Sequence, residues 1–176
     1  QSKCAYPNSE FARYWVHNGM LTVEGSKMSK SLGNFVTVRD LLDRGCDGES
    51  VRLALISAHY RQPLDWTERR LHEFSDMLKK WKDFTSGKIE APYPCSEFLD
   101  ALYDDLNTPG YIANLHKLYE KAQKGSEKDR NLFISACHFV GLLNETKKDW
   151  LKFKKRKLLI SESEILNKIN ERNRAR

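Results

Sequence analysis

Residues 21–45 read LTVEGSKMSKSLGNFVTVRDLLDRG, and three kinds of local chemistry meet there. Leu21, Thr22 and Val23 suit a strand, and Glu24-Gly25 stops it with a turn. Lys27-Met28-Ser29-Lys30-Ser31 then sets two ammonium groups three residues apart among two hydroxyls, with Gly33 close behind to let the backbone turn. Thr37, followed three residues later by Asp40 and then by Leu41 and Leu42, is a capping box, and Gly45 fits the stop of that helix. A polar loop between a strand and a capped helix can close over a polyphosphate. Lysine suits that work as a mobile point charge rather than a rigid fork. Charge builds on phosphate oxygens as a phosphoryl group is transferred, so a movable lysine stabilises the transition state more than the bound ground state.

Upstream, FARYWVHNG (residues 11–19) is aromatic and β-branched and is broken by Asn18-Gly19, which predicts further short strands and turns. Downstream, helix signals dominate. Asp47 can cap a helix carrying Val51, Ala54, Leu55 and Ala58. Thr67 can cap a longer one with Leu71, Phe74, Leu78 and Trp81 on one face, ending near Gly87. Residues 87–94 read GKIEAPYP, and glycine with two prolines predicts a linker over 88–94. Beyond it, Ser96 opens a helix with Leu99, Leu102 and Leu106. Thr108-Pro109 reads as an N-cap with proline at the first helical position, ahead of Ile112, Leu115, Leu118 and Ala122. Leu132, Phe133, Ala136, Phe139, Val140 and Leu143 mark another helix, and Ser161 with Glu164 caps a last one bearing Ile165, Leu166 and Ile169. The expected fold class is mainly α: a short β/loop segment followed by an antiparallel helical bundle.

With 176 residues, 40% hydrophobic and 31% charged, and a mean hydropathy of −0.66, the core has to be assembled from amphipathic segments. No run approaches the ~18 apolar residues of a membrane span, and QSKCAYPNSE at the start lacks the pattern of a signal peptide. A protein with no membrane partner, in the cytoplasm, is expected. Cys4, Cys46, Cys95 and Cys137 lie far apart with no CxxC, which predicts reduced, partly buried thiols rather than a disulfide framework or a zinc site. The net charge of +6 sits entirely in residues 144–176, which hold 11 basic and 5 acidic side chains. Seven of those cations fall between Lys147 and Lys157, with Trp150 and Phe153 among them. Lys154, Lys155 and Lys157 are therefore candidates for phosphate-backbone contact, against the plainer alternative of a solvated charged face.

KMSKS at 27–31 is the second signature of the class I aminoacyl-tRNA synthetases. The wider stretch YWVHNGMLTVEGSKMSKSLGNFVTVRDLL closely resembles the cysteinyl-tRNA synthetase family, as do ESVRLALISAHYRQPLDW and DDLNTPGYIANLHKL. The likeness is strongest over residues 10–70 and 100–120 and weakest over 125–160. It implies that residues 1–35 end a Rossmann-type catalytic domain with its signature loop. Residues 36–87 would form a helical stem-contact region, and residues 95–176 a helical bundle cut short before an anticodon-binding domain. Lys30 would contact ATP, brought in with magnesium as substrate, and Lys27 would be the supporting cation. Met28, Ser29 and Ser31 complete that binding loop, and Gly33-Asn34 begin its exit.

The family's other signature and its zinc ligands would lie upstream of Gln1, so no metal is expected on this chain, and neither Cys4 nor His17 is to be promoted to a ligand. Cysteine, ATP and tRNA(Cys) are the implied partners of a monomer, and the chain alone should be inactive. Two other readings compete: a ligase joining cysteine to an amino sugar in mycothiol synthesis, and a helical tRNA-binding module without catalysis. His17, on the strand expected to lead into the loop, is open between packing and the adenylate site. His59 is expected to be structural, Asp104-Asp105 to mark a helix end, and the rings of Trp15, Trp66 and Trp81 to be core.

Overall fold

The computed structural model describes residues 2–8, 10–85, 96–125, 127–144, 166–168 and 170–172. Local chemistry starts most of its helices. After a single turn, α1 (Ser2–Ala5), the first capped helix is α2 (Val38–Asp43). The Thr37 hydroxyl accepts from the Asp40 N–H at 3.1 Å, and the Asp40 carboxylate accepts from the Thr37 N–H at 2.9 Å. The helix ends in a Schellman motif: Gly45, at φ 78°, donates to Leu42 O and Cys46 donates to Leu41 O. Asp47 caps α3 (Gly48–Ile56) by accepting from the Glu49 N–H and the Ser50 hydroxyl. The Thr67 hydroxyl accepts from the Arg70 N–H at the start of α4 (Glu68–Thr85).

Three short strands form one sheet in the order β2-β1-β3: β1 is Leu21–Val23, β2 Ser26–Lys27 and β3 Leu64–Trp66. β1 pairs antiparallel with β2 through a two-residue turn, and parallel with β3 across the excursion that holds α2 and α3. The parallel register sets Thr22 opposite Asp65 and Val23 opposite Trp66. Val23, Leu41, Val51, Ala54, Trp66 and Leu71 close one core between this sheet and the helices, with Met28 and Val36 packed at its edge.

A second core is helical. α5 (Ser96–Tyr103), α6 (Thr108–Lys124) and α7 (Glu127–Phe139) pack in sequence, and Leu53 of α3 with Leu78 and Trp81 of α4 meets Tyr111, Leu115, Phe133 and Cys137. Trp81 and Phe133 cross edge to face with centroids 5.2 Å apart, and the Tyr111 hydroxyl donates to Ala136 O at 2.7 Å. Burial pushes the Cys137 thiol well above its ordinary pKa. Among the described residues, no helix is long and apolar enough to cross a membrane.

Several details differ from the sequence reading. Asn107, not Thr108, is the N-cap of α6. Its side chain accepts from the Gly110 N–H at 2.9 Å, while the Thr108 hydroxyl donates away to Ala58 O. Residues 10–20 form no strand, and Trp15 is 66% exposed rather than core, with its ring near those of Phe11 and His17. Trp66 and Trp81 are buried. α5 stops at Tyr103, because Asp105 and Leu106 take left-handed φ of 49° and 55°, and this leaves Leu106 exposed. α7 stops at Phe139 in a second Schellman motif around Gly141, so Leu142 and Leu143 are buried by a turn rather than by helical period. The linker at 88–94, Cys95, the basic stretch at 147–157 and the cap at Ser161 and Glu164 lie outside the described residues.

Candidate functional site

The loop at Lys27–Ser31 leaves β2 and returns to α2 in ten residues. It is not a free polar loop. Met28 sits half-buried against the first core, as does Val36 beyond it, so both ends are anchored by apolar contact. Between them the Asn34 side chain closes the loop. Its Oδ1 accepts from the Ser29 N–H at 2.9 Å and its Nδ2 donates to Lys27 O at 3.1 Å. The Ser29 hydroxyl lies 3.2 Å from that of Ser31 and accepts from the Leu32 N–H. Gly33, at φ 65°, donates to Lys30 O and makes the reversal. The two serines are thus spent on shaping the loop, while Lys27 and Lys30 are exposed. Two ammonium groups on a shaped, apolar-anchored loop can meet a polyphosphate without first having to leave a buried site.

Asn34 was legible only as part of the loop's exit, and its closing role carries no sequence signal. Two further residues have roles that the sequence did not show. The Asp65 carboxylate accepts from Thr22 and from the turn at Gly25, and these bonds hold its pKa below the usual carboxylate range. Glu24 accepts from the Glu68 N–H at the head of α4. A residue 40 positions away has no sequence signal of partnership. Glu24 was legible as a turn residue, and both it and Asp65 lie inside stretches resembling the family, but neither fact shows these bonds.

The other candidates separate from the loop. Asp105 accepts from the Tyr60 hydroxyl at 2.7 Å and pairs with Arg61 at 3.0 Å, and the bond to Asp105 raises the Tyr60 pKa. His59 joins the same place, with Nε2 3.0 Å from Asp105 O and Nδ1 accepting from the Arg61 N–H. His59 and Asp105 therefore tether the loop after α3 to the turn before α6, while Asp104 makes only local bonds just past the end of α5. His17 is exposed in an irregular segment beside Trp15. Zinc does not fit the described residues: no three of their His, Cys, Asp or Glu side chains come together to hold a metal, and Cys4 is an exposed free thiol.

The family described as tRNA synthetases class I (C) catalytic domain matches residues 1–76, which take in the sheet, the loop and the first half of α4. Among curated proteins, the cysteine–tRNA ligase of Pelagibacter ubique is 47% identical over 176 residues, all of this chain and 39% of that protein. Along its whole length the chain is similar to one portion of a cysteine–tRNA ligase. The corresponding ligases of Ruegeria sp. strain TM1040 and Rickettsia bellii are 50% identical over 150 residues and 45% identical over 181 residues. They match 85% and 98% of this chain and 32% and 38% of their own lengths. The chain thus spans about two fifths, or less, of the ligases it matches. The loop at Lys27–Ser31 falls inside the matched catalytic region.

Proposed function

We propose that the chain supplies the ATP loop and tRNA-facing helices of a ligase that activates cysteine with ATP and transfers it to tRNA(Cys). One observation carries the reading. KMSKS lies within the region matching the catalytic domain, and the chain around it presents both lysines outward from a loop pinned at each end. Lys30 is the group that meets the triphosphate, and Lys27, at the end of β2, adds a second positive charge beside it. As the cysteine carboxylate attacks the α-phosphorus and pyrophosphate departs, negative charge moves onto the phosphate oxygens. A lysine that follows that charge lowers the barrier more than it tightens ATP binding. On this reading the helices of residues 36–87 contact the tRNA stem, and the basic residues Lys154, Lys155 and Lys157 take tRNA phosphates.

The test is Lys30→Ala in the full-length ligase, followed by pre-steady-state adenylate formation. Losing an interaction made mainly in the transition state costs about 2–4 kcal/mol, or roughly 30- to 1,000-fold in rate, with ATP binding little changed. An unchanged rate with a raised ATP dissociation constant would assign Lys30 to ground-state binding instead.

A further inference from the structure

Glu24 and Gly25 form the turn between β1 and β2, with φ of 48° and 74°. Positive φ at both positions suits the twist of a hairpin, but it strains a residue that carries a Cβ, so Glu24 has to be held in place. The holding comes from β3 and the head of α4. The Glu24 N–H donates to Trp66 O at 3.0 Å, and the Glu24 carboxylate accepts from the Glu68 N–H at 2.9 Å. The Gly25 N–H donates to Asp65 Oδ1 at 2.9 Å, and the Thr22 hydroxyl donates to the same oxygen at 2.7 Å. One carboxylate oxygen therefore bridges strand and turn.

β2 is two residues long and runs straight from this turn into the loop. A hairpin that short has no stability of its own, so the direction in which it delivers Lys27 and Lys30 is set by whatever pins the turn. The side-chain bonds of Asn34 to Ser29 and Lys27 close the loop on itself and do not orient it against β3 or α4. Met28 and Val36 anchor the two ends of the loop against the core, while the heading at which β2 enters it follows from the turn.

We infer that Asp65 is a positioning residue for the signature loop: by locking the β1–β2 turn, it fixes how Lys27 and Lys30 are presented to the triphosphate. The inference rests on the ATP reading above. Asp65 acts through the lysines and not on substrate. Both of its bonds need only an acceptor, so asparagine, which keeps Oδ1, should serve where alanine fails.

The experiment compares Asp65→Ala and Asp65→Asn in the full-length ligase by cysteine-dependent ATP–pyrophosphate exchange, each alone and combined with Lys30→Ala, with thermal melts alongside. Misplacing a catalytic group by a fraction of an ångström to an ångström predicts that Asp65→Ala lowers kcat by about 10- to 100-fold at unchanged KM for cysteine. Asp65→Asn should stay within about threefold of the parent, and Asp65→Ala should cost less than about threefold once Lys30 is gone, because groups acting as a unit are not additive. The role is overturned if Asp65→Ala leaves kcat unchanged, or if its full loss persists in the Lys30→Ala background. A costly Lys30→Ala beside a silent Asp65→Ala overturns the positioning role alone, whereas a silent Lys30→Ala overturns the ATP reading and the positioning role with it. Should Asp65→Ala fail to fold, Thr22→Val removes one of the two donors and carries the same comparison.

Discussion

Replacing Glu49 with alanine removes three interactions made by one buried carboxylate. Glu49 lies in the first turn of α3 at 8% exposure. Its Oε2 pairs with Lys82 Nζ of α4 at 3.0 Å and accepts from the Leu143 N–H at 3.1 Å, and its Oε1 accepts from the Asn144 N–H at 2.8 Å. It thereby ties α3 to α4 and to the turn after α7, 94 and 95 residues along the chain. Breaking a buried pair by removing one partner costs about 3–5 kcal/mol, and leaving a buried N–H unsatisfied about 1–3 kcal/mol. The two costs overlap. Lys82 keeps Asp47 at 3.7 Å, and Asn144 is exposed, so its N–H can turn to water. The expected loss is therefore about 3–4 kcal/mol for Glu49→Ala, near the lower end of the pair-breaking range. Glu49→Gln keeps a carbonyl acceptor without the charge and should cost about half as much. Urea unfolding at neutral pH, followed by circular dichroism with the slope unchanged, reads both values. Amide exchange at Leu143 should lose its protection in the alanine variant. A loss below about 1 kcal/mol, the scale of an exposed ion pair, would refute the reasoning.

Two further outcomes are expected. The bonds from Thr37 hold the Asp40 pKa below the ordinary carboxylate value. A depressed folded-state pKa contributes stability above the unfolded value and loses it as pH falls through the folded one. The start of α2 should therefore be intact at mildly acid pH and fray only at more acid pH than an unperturbed aspartate would dictate. Carboxyl NMR should show Thr37→Ala moving the Asp40 titration back up, and a normal Asp40 titration in the parent would sink the claim. For the basic stretch, changing Lys154, Lys155 and Lys157 to alanine in the full-length ligase should weaken tRNA binding. It should also make the plot of log affinity against log salt shallower by about 0.7–0.9 for each phosphate no longer neutralised. Cysteine activation without tRNA should not change, and an unmoved salt slope would leave the stretch as a solvated face.

The sequence by itself determined what depends on neighbours three or four residues apart. The Thr37–Asp40 box, the Asp47 cap and the stop at Gly45 are interactions within one turn of chain, so residue type and spacing specify them. The signature loop was legible for a different reason, since its residues are contiguous and their chemistry is visible without a fold. Tertiary structure decided whatever needed a distant partner. Whether Trp15 is covered depends on which segments lie over residues 10–20, and aromatic character alone placed it wrongly in the core. The shift of the α6 cap from Thr108 to Asn107 followed from Ala58, 50 residues away, engaging the threonine hydroxyl. The bonds of Asp65 to Thr22 and Gly25 and of Glu49 to Leu143 and Asn144 cross 40 to 95 residues. An acidic side chain reads the same in sequence whether it faces water or accepts such bonds. Only chain folding brings the donors to it, and at buried Glu49 desolvation then makes each bond worth keeping.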